Sequence, residues 1–201
     1  MGNLNVINEA VKVTQFVPKL YTANGVSFRI GVLEVMSGFP YSVFVSDIDY
    51  FDKIHCGGII VMLSDIKSYM KNHSDESTKE FLRMVVGHEI GHLVDFSEKF
   101  KAGFNYSVDR EAEADAWAIL HCGGIDSYHR MMKTLISTIN DSTDKVASAA
   151  LSMACGVINN FNFNRRMRLA TKKASKRKWE YYKDIDEIVD TLIEAAKREP
   201  C

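Results

Sequence analysis

Two histidines four residues apart, with a glutamate beside the first, form the most chemically loaded stretch of this chain: Gly87-His88-Glu89-Ile90-Gly91-His92. On a helix, residues four apart share a face, so His88 and His92 can turn both imidazoles toward one divalent ion. Glu89 lies about 100° around the helix from His88. From there its carboxylate can reach a water on that ion without ligating the ion itself. A metal placed this way lowers a water's pKa toward ~7 while the carboxylate takes its proton. Gly91 leaves room at the site. In a chain of this composition the five-residue pattern arises by chance on the order of once per hundred sequences, so its presence carries weight.

A catalytic zinc takes three protein ligands and keeps one position open. The third ligand must therefore come from elsewhere. The metzincin pattern HExxHxxGxxH would place a Gly and a third His just downstream, but Asp95 and Glu98 stand there. The better source is Ser107-Val-Asp-Arg-Glu111-Ala112-Glu113-Ala114-Asp115-Ala116-Trp117-Ala118. Glu111 and Asp115 are four apart and share a face. Ala114 and Ala118 border that face and permit close helix approach. Glu111 can serve as a ligand while Asp115 accepts a hydrogen bond from the distal nitrogen of a ligand histidine, which fixes that histidine's tautomer and orientation. Glu113 is the rival third ligand. It sits about 200° around the helix from Glu111, so the two cannot both face the ion.

His88-Glu-Ile-Gly-His92 followed by Glu111-Ala-Glu-Ala-Asp115 resembles the gluzincin metallopeptidases, in which the third ligand is a Glu on a later helix in an E-x-x-A-D context. Membrane prenyl-protein proteases, heat-shock membrane proteases and small soluble repressor-cleaving peptidases of mobile elements share that signature. The resemblance covers roughly residues 59–120. It implies one Zn2+ held by His88, His92 and Glu111, with Glu89 as general base and Asp115 orienting a ligand histidine. It also implies that the strand at Ile59–Leu63 is the sheet edge that pairs with substrate backbone. The chain lacks the transmembrane helices of the membrane members, so prenylated or intramembrane substrates do not follow from it.

The elements that must position these residues divide along the chain. Residues 26–35 are rich in β-branched and aromatic types and read as a strand. Ser37-Gly38-Phe39-Pro40 supplies a turn, and residues 41–45 and 59–63 read as further strands, the second a short apolar run suited to either a buried or an edge position. From residue 77 the period becomes helical. Ser77 or Asp75 can cap, Glu80 completes a capping box with Ser77, and Phe81, Met84, Val85, His88 and His92 recur at helical spacing. A helix is expected over 77–96, another from 107 or 109 to just before Gly123-Gly124, two more over 126–140 and 144–160, and a last over 184–198 with an apolar stripe of Ile185, Ile188, Val189, Leu192 and Ile193. Strands first and helices later make an α+β fold, a small N-terminal mixed sheet packed on the motif helix and followed by a mainly helical C-terminal half. One domain over residues 1–201 is expected: a strand-rich part to about 75, a helical part with the metal site to about 160, then a basic segment and terminal helix.

With 201 residues, 46% hydrophobic and 25% charged, the composition is that of an ordinary globular domain. The formal net charge of −1 gives no global pull toward nucleic acid or membrane. No secretory signal or membrane span is read, so a cytoplasmic setting is expected, with Cys56, Cys122 and Cys155 as small buried thiols and Cys201 exposed. Tyr106, His121, Tyr128, His129 and Arg165 are candidates to stabilise an oxyanion, with no basis in sequence for choosing among them. His55 and His73 read as solvated loop residues, Arg110 as a partner for a nearby carboxylate, and Trp117 as core. The run from Arg165 to Lys178 is strongly basic. A solvated helix end, a nucleic-acid contact or an acidic protein partner would each account for it. Three functions remain open at this level: a zinc metalloendopeptidase, a non-catalytic zinc-binding interaction module, and a regulator that cleaves a single partner such as a repressor.

Overall fold

The computed structural model describes residues 15–34, 41–45, 56–99, 108–141, 160–176 and 181–198. The fold is α+β. Five strands, β1 (Gln15–Phe16), β2 (Tyr21–Ala23), β3 (Val26–Leu33), β4 (Tyr41–Val45) and β5 (Cys56–Met62), precede six helices among the described residues: α1 (Leu63–Asn72), α2 (Asp75–Lys99), α3 (Val108–His121), α4 (Ile125–Asp141), α5 (Asn160–Lys176) and α6 (Ile185–Lys197).

The sheet is mixed. β1 and β2 both pair antiparallel with β3, β3 runs parallel to β5, and β4 closes antiparallel on the other side of β5. Asn24 and Gly25 both have positive φ, 47° and 78°, which suits the tight two-residue turn that reverses β2 into β3. This Asn-Gly pair is the sequence signal for the β2–β3 hairpin, a strand pair additional to the strands expected from the apolar pattern. Along β3 the side chains of Val26, Phe28 and Ile30 are buried at a period of two. In β5, Ile59, Ile60, Val61 and Met62 are all buried. This strand lies between β3 and β4, with Ile59 opposite Ile30 on one side and Ser42 on the other. The expected edge strand at Ile59–Leu63 is therefore an interior strand, and its continuous apolar run reflects burial on both faces. Among the described residues the free edge beyond it belongs to β4.

β5 ends at Met62, and Leu63 opens α1 where continued strand was expected. α2 begins at Asp75, earlier than expected. The Oγ of Ser74 accepts a hydrogen bond from the Ser77 backbone N–H, so Ser74 is the cap in place of Asp75 or Ser77. α3, α4 and α6 fall within two residues of their expected bounds. The turn at 37–40 and the helix expected over 144–160 lie outside the described residues, apart from Asn160, which opens α5.

Two apolar clusters meet on α2. Leu82, Val86, Ile90 and Leu93 face the sheet, α1 and α6. Met84, with Phe81 and Val85, faces α3, α4 and α5. Each fully buried Leu or Ile contributes roughly 1.5–3 kcal/mol, so the helix that carries the histidines is held from both sides. The α6 stripe of Ile185, Ile188, Val189, Leu192 and Ile193 is buried in the sheet-side cluster. Its partly exposed ion pairs, Lys79–Asp190 and Arg83–Asp186, add little. Among the described residues, no helix is long and apolar enough to cross a membrane.

Candidate metal centre

α2 and α3 pack closely because their seam is made of small residues. A Cβ on Gly91 would sit 2.6 Å from the Ala114 Cα, and one on Gly87 would sit 3.3 Å from the Ala118 Cα. Only glycine at 91 lets the two backbones approach this far. The approach sets Glu111 and Asp115 of α3 opposite His88 and His92 of α2.

His88, His92 and Glu111 each offer a donor atom, and the three atoms lie within 4.8 Å of one another. His88 Nε2 is 3.6 Å from Glu111 Oε2, and His92 Nε2 is 3.5 Å from Glu111 Oε1. Two donors bound about 2.1 Å from a tetrahedral zinc stand about 3.4 Å apart. The spacing and the two-imidazole, one-carboxylate chemistry therefore fit a divalent ion. The two imidazole planes meet at 88° with centroids 4.6 Å apart. The three side chains keep 12–19% of their surface exposed, so the centre is reachable from solvent.

Behind the ligands the site is closed. His88 Nδ1 lies 2.9 Å from Asp115 Oδ1. With the carboxylate as acceptor, Nδ1 carries the proton and Nε2 presents its lone pair to the centre. Asp115 is 1% exposed and accepts two bonds from Arg166 of α5, Nε to Oδ2 at 2.5 Å and Nη2 to Oδ1 at 2.8 Å. Arg166 Nη1 also lies 3.2 Å from Glu111 Oε2. Burial alone would raise the Asp115 carboxyl, but the Arg166 guanidinium and the His88 hydrogen bond override it and hold Asp115 well below the usual carboxylate range. Burial, followed by the neighbouring His88, pushes His92 well below the ordinary histidine value, toward the neutral form that ligates metal. Burial opposes charging of His88, yet its bond to Asp115 and the charges of Asp115, Glu111 and Glu89 raise it overall. Burial raises Glu111 against the pull of His88 and Arg166. Glu89 is buried, at 6% exposure, on the same turn as His88.

Glu113 is turned away from the centre. Its Oε2 is 2.6 Å from Lys173 Nζ on α5. Glu111→Gln is expected to abolish binding of an added divalent ion, whereas Glu113→Gln is expected to keep it and to show only reduced thermal stability. Loss of metal binding in Glu113→Gln alone would reverse the assignment.

The candidate oxyanion residues scatter. His121 is buried with both nitrogens engaged: Nδ1 donates to the Trp117 carbonyl at 2.7 Å and Nε2 accepts the Tyr182 N–H at 3.1 Å. Trp117 is 5% exposed in the core and stacks on it. Tyr128 is buried in the helix-side cluster beside Asp115 and Arg166, whose charges act on it, and its hydroxyl makes no hydrogen bond of ordinary geometry. His129 lies 3.5 Å from Thr171 in a groove between α4 and α5 that also holds Arg168 and Lys172. Arg165 is exposed on α5. Tyr106 and His55 lie outside the described residues. Arg110, half-buried beside Glu111, acts on the charge of Glu111 and His92. His73 ends α1, exposed and stacked on Tyr69.

The basic run is divided by the fold. Arg166 and Lys173 point inward to carboxylates, while Arg165, Arg168 and Lys176 are exposed. Lys178 lies outside the described residues. Among the cysteines, Cys122 is buried and free, and burial pushes its thiol up to about 12. In the native protein Cys122 should resist alkylation at pH 8 and react once the chain is unfolded. Rapid native labelling at this residue would contradict that burial. The Cys56 side chain, Cys155 and Cys201 lie outside the described residues.

Compared with known protein families, curated proteins and solved structures, the chain matches no family model, no curated protein and no solved structure.

Proposed function

We propose that the protein is a zinc-dependent metalloendopeptidase of gluzincin type. The observation that carries this reading is the convergence of His88, His92 and Glu111 on one point, with Glu89 on the same turn and Asp115 holding His88. A purely structural zinc site has no use for Glu89, and structural sites close all four positions with protein ligands. Two imidazoles and one carboxylate leave a position open.

His88, His92 and Glu111 would hold the ion. Zinc, when bound, supplies Lewis acidity that acidifies a water and polarises the scissile carbonyl. Glu89 accepts the proton of the attacking water and delivers it to the leaving amine. Asp115 keeps His88 in the tautomer that ligates. The backbone edge of β4, which packs near α2, replaces β5 as the strand available to an extended substrate. Other divalent ions also suit this donor set, so zinc rests on the resemblance to gluzincins.

Hydrolysis of an unfolded protein substrate should stop on chelation and return on adding zinc. Turnover that persists after complete metal removal would contradict the reading. Zinc bound at one ion per chain, with no hydrolysis of a broad panel of peptides, would favour the interaction-module or single-partner readings.

A further inference from the structure

We propose that Arg166 is the positioning residue of the candidate metal centre, and that it acts by holding Glu111 to ligation through one oxygen. This rests on the metal-centre reading above and adds a residue from a third helix.

Arg166 is 5% exposed and distributes its three nitrogens over two carboxylates. Nε and Nη2 grip both oxygens of Asp115, and Nη1 reaches Glu111 Oε2 at 3.2 Å. A planar guanidinium can make these contacts at once, while a lysine ammonium can serve only part of the set. Two consequences follow from the geometry. Asp115 cannot rotate away from His88 Nδ1, because both its oxygens are fixed. Both Glu111 oxygens face the histidines, Oε2 at 3.6 Å from His88 Nε2 and Oε1 at 3.5 Å from His92 Nε2, but only Oε2 is also engaged by Arg166, which favours Oε1 as the oxygen for an ion. With Oε2 occupied by Arg166, Glu111 would hold an ion through one oxygen, and the position that the second oxygen could fill would be left to water or substrate. The inner face of α5 is built for this placement. Arg166, Ala170 and Lys173 recur at helical spacing, Ala170 is fully buried, and Lys173 pairs with Glu113 of α3. The metal centre on α2 and α3 thus depends on a side chain 51 positions after Asp115.

Metal affinity and coordination number test this without reference to hydrolysis. Arg166→Lys and Arg166→Gln would be compared with the wild type by zinc titration against a competing chelator and by visible spectra of the Co2+-substituted proteins, with circular dichroism and thermal melting as the check on folding. Both variants should fold, bind zinc about 10–100-fold more weakly, and shift the Co2+ bands from an intense low-coordinate pattern toward a weaker, higher-coordinate one. Lysine should recover part of the affinity and none of the spectrum. Folded variants with wild-type affinity and spectrum would overturn the proposal, as would loss of native helicity in both, which would make Arg166 a residue of the fold alone. A wild type that binds no metal would instead defeat the metal-centre reading, and a wild type that binds metal but hydrolyses nothing would leave this inference standing.

Discussion

Replacement of Glu89 by Gln should leave one zinc bound per chain and lower turnover by about 10²–10⁴-fold. Glutamine keeps the size of the side chain and its ability to hydrogen-bond, but it cannot take a proton at neutral pH. A loss of that size corresponds to roughly 3–5.5 kcal/mol of barrier, more than an exposed ion pair or a lost surface contact can produce. Glu89 is 6% exposed and close enough to His88 to act on its charge, which is the surrounding the proposed base role requires. Zinc content and kcat measured on the same sample separate the two roles. Retained turnover would remove Glu89 as the base. Lost zinc would make it part of the ligand set.

The second large effect is expected at Gly91. Its missing Cβ would stand 2.6 Å from the Ala114 Cα, 3.1 Å from the Ala114 carbonyl oxygen and 3.1 Å from the Trp117 Cβ. Two of these neighbours are backbone atoms, which cannot swing aside, so α3 as a whole must shift. Overpacking of this kind costs about 1–3 kcal/mol, against roughly 1 kcal/mol gained in helix propensity when Ala replaces Gly. The clash should win at Gly91. At Gly87 the closest contact is 3.3 Å, and the two effects should nearly cancel. Gly91→Ala is therefore expected to melt several degrees below wild type, at roughly 2–4 °C per kcal/mol for a chain of this size, and Gly87→Ala close to it. Glu111 and Asp115 ride on α3, so Gly91→Ala should also bind zinc more weakly. Equal melting temperatures and equal zinc affinity in the two variants would show that the seam does not set the site.

What could be read from sequence follows the range of the interactions involved. His88, Glu89 and His92 lie within one and a half turns, and Glu111 and Asp115 within another, so helical period alone puts each group on a face. Gly91, Ala114 and Ala118 mark the seam by size. The α2, α3, α4 and α6 spans follow from apolar period and from the Gly123-Gly124 stop, where φ is +88° and +101°. The features that did not follow are non-local or concealed by their neighbours. Strand order depends on pairings between distant segments, so the apolar run at Ile59 could not distinguish an edge from the middle of a sheet. Leu63 continues that run in sequence yet starts a helix. Arg166 stands between Arg165 and Arg168 in a run of cations and has nothing in its own type to mark it as buried. Its only local signal is the shared face with Ala170 and Lys173, which places a small residue and two cations where a solvated helix would need none. Glu111 and Glu113 differ in surroundings that only the packing of α5 supplies, with Lys173 taking the second of them.

The central claim is that His88, His92 and Glu111 form one metal site. Elemental analysis of the protein as purified, set beside His88→Ala, tests it most directly. The account predicts one zinc per chain in the wild type and a loss of most of it in His88→Ala, with circular dichroism showing both proteins folded. No bound metal in the wild type after exposure to zinc, or the same content in both proteins, would contradict it.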